Sequence, residues 1–135
     1  MNDPHTAVQD ALMAVLMASA ALKARIGDPP RLYDHVPAGP VFPFLSLGGA
    51  RSRRMDDLGG DGMAQEITLH AWSRYRGQRE IKDMLAAMYG ALHNAPLTVA
   101  GQSFALALFV DAATDLEEDG LTYHAQARYR LLTSS

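Results

Sequence analysis

Five histidines, His5, His35, His70, His93 and His124, are the side chains in this sequence best suited to ligating a metal or moving a proton. No two of them stand at the i, i+4 spacing of a helical zinc site, and no carboxylate falls in a ligand register with them, so neither a metal nor any other cofactor is expected. Asp34 and His35 are neighbours in an extended stretch, which sends their side chains to opposite faces. Ser46, Ser52, Ser73 and Ser103 lack the strand-to-helix turn of a nucleophile elbow. Glu117, Glu118 and Asp119 are adjacent carboxylates on a turn, where they point apart and stay hydrated, unlike a pair tuned for acid–base work. The Gly59-Gly60-Asp61-Gly62 run precedes a strand and is followed by no Lys-Ser/Thr at a helix start, so it is not a phosphate cradle. Arg74-Tyr75-Arg76 with Arg79 is a small basic patch at a loop and helix start, read as a rim of surface arginines. Nothing in these residues argues for an enzyme.

The bulk properties are those of one ordinary globular domain. The chain has 135 residues, 48% of them hydrophobic and 20% charged, with 12 basic and 15 acidic residues for a net charge of −3. That balance gives no general affinity for nucleic acid or an anionic membrane. The absence of cysteine removes disulfides, thiolate zinc sites and thiol catalysis together. Asp3 stands where a secretory leader would carry Lys or Arg, and no apolar run reaches membrane-spanning length. Lys23 and Lys82 are the only lysines; the excess of Arg together with abundant Ala fits a G+C-rich genome, and Arg also suits protein interfaces.

Several elements must position these side chains. Thr6 and Gln9 fit a capping box, and Val8, Leu12, Val15, Ser19, Leu22 and Ile26 then predict one first helix ending at Gly27. Its opposite side carries Met13, Leu16, Met17, Ala20 and Ala24, too apolar for a face in water. Asp28-Pro29-Pro30 forces a turn. Residues 31–36 and 41–47 read as strands, the second pushed to an edge or a bulge by Pro43. Residues 48–63, with five glycines and both charge signs, read as a long hairpin loop.

The best strand is residues 64–74, with Ile67, Leu69 and Ala71 on one face and Glu66, Thr68, His70 and Trp72 on the other. Ile81, Met84, Leu85, Met88 and Leu92 predict a second helix. Residues 103–111, with Phe104, Leu106, Leu108 and Val110 on one face, and residues 121–131 complete a hairpin around residues 114–120. His70 and His124 fall opposite the main apolar set, where cross-strand hydrogen bonding or plain exposure accounts for them. The expected fold is α+β: an antiparallel sheet of four to five strands, two helices packed on one face, and a long hairpin loop.

Taken together, Leu22-Lys-Ala-Arg-Ile-Gly27, Arg31-Leu-Tyr-Asp-His-Val-Pro37 and Phe42-Pro-Phe44 resemble the start of a family of phage tail-completion proteins. The resemblance continues through Gly60-Asp-Gly62, Leu69-His-Ala-Trp-Ser73, Leu92-His-Asn-Ala-Pro-Leu97 and Asp119-Gly-Leu-Thr-Tyr-His124, and so covers nearly the whole chain as one domain, 1–135. It implies a tail terminator, a structural protein of a phage, a defective phage or a gene transfer agent. Such a protein forms a hexameric ring that caps the tail tube and joins it to the head–tail connector, without catalytic residues. It also implies location in the tail or neck of a particle assembled in the bacterial cytoplasm, with DNA passing through the ring without specific binding and no membrane partner.

On this reading Met13, Leu16 and Met17 offer a surface to a neighbouring subunit. Arg51, Arg53, Arg54, Asp56 and Asp57 in the charged loop, and Glu117 and Glu118 at the hairpin tip, are further interface candidates. Two other classes remain open: a small-molecule or peptide-binding module using the sheet face around His70, Trp72 and His124, and a catalytic domain using those histidines.

Overall fold

The computed structural model describes residues 4–55 and 62–135. Its order is α1 (Pro4–Met17), α2 (Ala20–Ile26), β1 (Leu32–Tyr33), β2 (Phe44–Arg54), β3 (Met63–Ser73), α3 (Arg79–Leu92), β4 (Ala95–Pro96), β5 (Phe104–Leu116) and β6 (Tyr123–Ser134). The strands form one sheet in the order β1-β2-β3-β6-β5-β4. The α+β class and the packing of helices on one face agree with expectation, but the sheet has six strands, not four to five, and there are three helices, not two. The sheet is also mixed, because β1 pairs in parallel with β2.

The first helix is broken where a single one was expected. Ser19 does not continue the apolar stripe. Its Oγ accepts from the Leu22 N–H at 3.2 Å, capping a second helix bent by 76° from the first. The bend lets Val8, Leu12 and Leu16 of α1 and Leu22 and Ile26 of α2 all reach the same core. Thr6 lies inside α1, since the helix begins at Pro4, a residue suited to a first turn.

The largest departure lies in residues 48–54. Its two glycines and three arginines read as part of a loop, yet β2 runs through to Arg54 and pairs residue by residue with β3, from Arg51↔Glu66 to Arg54↔Met63. A bulge between Leu47 and Ala50 absorbs Gly48 and Gly49. The segment has nothing to bury because it is an exposed extension held by its ladder bonds. Of the residues expected in that loop, Asp56 and Asp57 lie outside the described residues.

The core face of the sheet carries Leu45, Ile67, Leu69, Ala71, Ala105, Ala107, Ala125, Ala127, Tyr129 and Leu131. The alanines lie where α3 brings Ile81, Met84, Met88 and Leu92 down onto β3, β5 and β6, and small side chains there let the helix approach closely. In β5 the face that groups the large apolar residues is not the one against the core. Ala105 and Ala107 are buried, while Phe104, Leu106, Leu108 and Val110 point to the side with no helix. Residue size favoured the leucines as the core set, but the helix selects the alanines. At the two edges, β1 and β4 are two residues long, and β4 contains Pro96.

Candidate functional site

Alternation along β3 and β6 places Trp72, His70, His124 and Gln126 on the uncovered face, in the registers Trp72↔His124 and His70↔Gln126. Of the two accounts open for these histidines, cross-strand hydrogen bonding is the one found there. His70 Nδ1 and His124 Nε2 are 2.6 Å apart, and His124 Nδ1 lies 2.9 Å from Glu117 Oε1. A carboxylate only accepts, so His124 Nδ1 carries a proton; in the neutral ring its Nε2 then accepts, and His70 Nδ1 is the donor. The three groups form one directed line from β3 through β6 to the β5–β6 turn.

Aromatic rings extend this line into a ladder. The Trp72 indole stacks on His124 at 3.9 Å with planes 2° apart, and Phe44 lies 6.1 Å beyond it at 19°. Phe42 meets Phe44 edge-on at 5.0 Å, and the Arg74 guanidinium sits 4.1 Å above the Phe42 ring. The Trp72 Nε1–H donates to Ser46 Oγ at 3.1 Å, which fixes the indole against β2. Gly48 makes room for the ladder: a Cβ there would come within 2.5 Å of His70 Nε2 and 2.9 Å of the Thr68 carbonyl oxygen. Burial of the ring, followed by the neighbouring His124, lowers the His70 pKa from its ordinary value.

Beside the ladder a cleft of about 410 Å³ opens between Val36, Phe42, Phe44 and Trp72, rimmed by Arg74, Glu117, Asp119 and Thr122. Asp119 builds that rim. It accepts from the Leu121 and Thr122 N–H groups at 2.9 and 2.8 Å and from the Thr122 hydroxyl, bonds that hold its carboxyl down to about 2. Arg74 Nε donates to Thr122 Oγ1 at 3.0 Å, tying the end of β3 to the same turn.

Further along the uncovered face, Arg128 donates to Asp111 and to Glu66, the latter at 2.8 Å, and Arg130 lies 3.9 Å from Glu66. The paired Arg128 holds the Asp111 carboxyl below its usual range. At the far end Arg51 and Arg53 are exposed, and Arg130 sits between them and β5.

The other expected interface residues are scattered. Leu16 is fully buried in the subunit's own core and is not on a surface; Met13 and Met17 are half-buried against that core. Glu117 is engaged with His124, whereas Glu118 is exposed at the turn. His5 meets Ser52 Oγ at 2.9 Å, and His93 Nδ1 accepts from the Phe109 N–H at 3.2 Å. Among the described residues no group of three or more His, Asp or Glu side chains has the geometry of a metal site. Sequence reading missed the roles of Phe42, Phe44, Ser46 and Arg74; the aromatics alternating around Pro43 were the available signal.

No curated protein sequence matches the chain. Its fold is shared with a chain in the solved virion of a native gene transfer agent particle, with a TM-score of 0.87 over 100% of both chains at 24% identity. The family model described as tail completion protein gp17 matches residues 10–134. With that match running from within α1 to the end of β6, the chain belongs to the tail completion protein gp17 family, structural proteins of the phage virion tail.

Proposed function

We propose that the protein is a tail terminator, a subunit of a hexameric ring that caps the tail tube and joins it to the head–tail connector. The observation that carries this reading is the family match over residues 10–134. The fold shared end to end with a subunit of a gene transfer agent virion supports the same assignment. In the ring, DNA passes through the lumen without sequence-specific contact, in keeping with a net charge of −3.

The physical form of the subunit also supports assembly. One sheet face is covered by its own helices. The other leaves Phe104 at 44% exposure and Trp72 half-buried, with Arg51 and Arg53 exposed.

The test is electron microscopy of purified protein, alone and mixed with tail tubes. Six-fold rings, free or seated on tube ends, are the expected result. Protein that stays monomeric at high concentration and leaves tube ends bare would overturn the reading.

A second reading draws on the cleft beside Trp72, whose apolar walls and charged rim suit a small ligand or peptide side chain. A ligand screen followed by Trp72 fluorescence and thermal shift would detect such binding.

A further inference from the structure

The uncovered face has two unlike ends. At one, the aromatic cleft of Phe42, Phe44 and Trp72 lies under a turn that bears Glu117, Glu118 and Asp119, with Asp115 in the last residues of β5. At the other, Arg51 and Arg53 project from the same side of β2, near Arg130 of β6, and Phe104 stands exposed on β5. Neither Arg51 nor Arg53 has an ion-pair partner among the described residues, and Glu118 has none.

The paired span of β3 from Trp72, opposite Phe44, to Glu66, opposite Arg51, is six residues, about 20 Å at about 3.3 Å per residue. That is well beyond the screening length of about 8 Å at physiological salt, so the two ends do not neutralise one another within a subunit. One end offers two cations without ion-pair partners, with Phe104 on the same face across β3 and β6; the other offers an apolar cleft beneath a carboxylate-rich turn in which Glu118 has no ion-pair partner among the described residues.

We propose that these two ends dock on each other in successive copies of this chain, head to tail. Phe104 and the Arg51–Arg53 end of one subunit meet the Trp72 cleft and the acidic β5–β6 turn of the next. The proposal rests on the ring reading and names the surfaces that build it. A second copy is the occupant because both complementary halves reside on one chain, and a contact between unlike patches of identical subunits closes into a ring when its rotation divides a full turn. Desolvated charge pairs around an apolar centre also fix register, as a ring of one size requires.

The test uses two exposed double variants, R51E/R53E and D115K/E118K, with R53E and E118K as a milder pair. Circular dichroism first selects whichever pair melts as the wild type does. Mass measurement in solution and electron microscopy then read assembly with and without tail tubes.

Each variant alone is expected to lose rings, with association weakened at least about tenfold. The equimolar mixture, in which every contact is again between opposite charges, regains them. Phe104→Ala, with charges intact, is expected to weaken assembly in the same direction. Variants that form rings as the wild type does overturn the proposal while leaving the ring reading standing, as does a mixture that stays dissociated. Variants whose rings form but no longer seat on tubes also overturn it, since the face would then belong to the tube contact. Wild-type protein that never forms rings overturns both readings.

Discussion

His70 is the titrating group whose surroundings are best defined, flanked by His124 of β6, with Glu117 one step beyond and Gly48 packed against its ring. Its folded pKa lies below the ordinary 6.5, so between those values the unfolded chain binds more protons than the folded one. Stability is therefore full above about 6.5 and falls as pH drops through the folded value. Thermal melting at pH 7.5 and pH 5.5 is expected to show this loss, and His70→Phe to flatten it; an unchanged acid-side slope in the variant would refute the assignment. Tyr129 offers a second residue-level case. It is 1% exposed, and its hydroxyl is buried with no hydrogen-bond partner among the described residues. Tyr129→Phe removes an unsatisfied polar atom without opening a cavity and is expected to raise stability by about 1 kcal/mol in urea titration. A clear loss would mean that the hydroxyl does find a partner.

At the level of elements, the bulge in β2 and the break between α1 and α2 are the features most open to single substitutions. Gly48→Ala puts a methyl against the His70 ring and the Thr68 carbonyl oxygen, and the strand must shift; a cost of about 1–3 kcal/mol is expected. The same substitution should disturb Trp72 fluorescence through the stacked rings, whereas Gly49→Ala, with open space around it, should not. Ser19→Ala removes the cap of α2 and is expected to cost about 1 kcal/mol in chemical denaturation. These elements also mark how far the sequence could be read. The alternation of Ile67, Leu69 and Ala71 and the helical spacing of Ile81, Met84 and Met88 each carry a single strong period, and both elements stand as expected. The break at Ser19 was hidden because Val15 and Leu22 keep helical spacing across it. Residues 48–54 hid β2 because an exposed strand held by backbone bonds needs no apolar alternation. In β5 the leucines outweighed the alanines by hydrophobicity, while the choice of face belonged to α3, an element distant in sequence. The histidine contact was legible as two residues on one sheet face; the ladder around it depends on Phe42, Phe44 and Ser46, whose register no local pattern sets.

For the whole molecule, the paired extension of β2 and β3 changes which deletion is informative. Removing Arg51–Arg54 would cut into a strand. Replacing residues 56–61 with a short glycine linker keeps every paired residue of β2 and β3, so melting is expected to stay within a few degrees of the wild type. On the terminator reading, joining to the tail tube in a reconstitution assay should drop. A protein that unfolds on this replacement would show that the segment is structural.

The two-residue edge strands have a consequence for the particle as a whole. A sheet that ended in long, bare strands would template another copy along its ladder, and that copy another, without limit. Here β1 and β4 offer too few backbone groups to continue the sheet, and Pro96 removes a donor from one of them. The protection is local: β1 covers only Leu45 and Ser46 of β2, and β4 only Leu106 and Ala107 of β5, so the rest of those two outer edges faces no strand among the described residues. On the terminator reading, the shortest strands of a subunit that ends a tube stand at the two outermost positions of its sheet, where they are least able to template another copy.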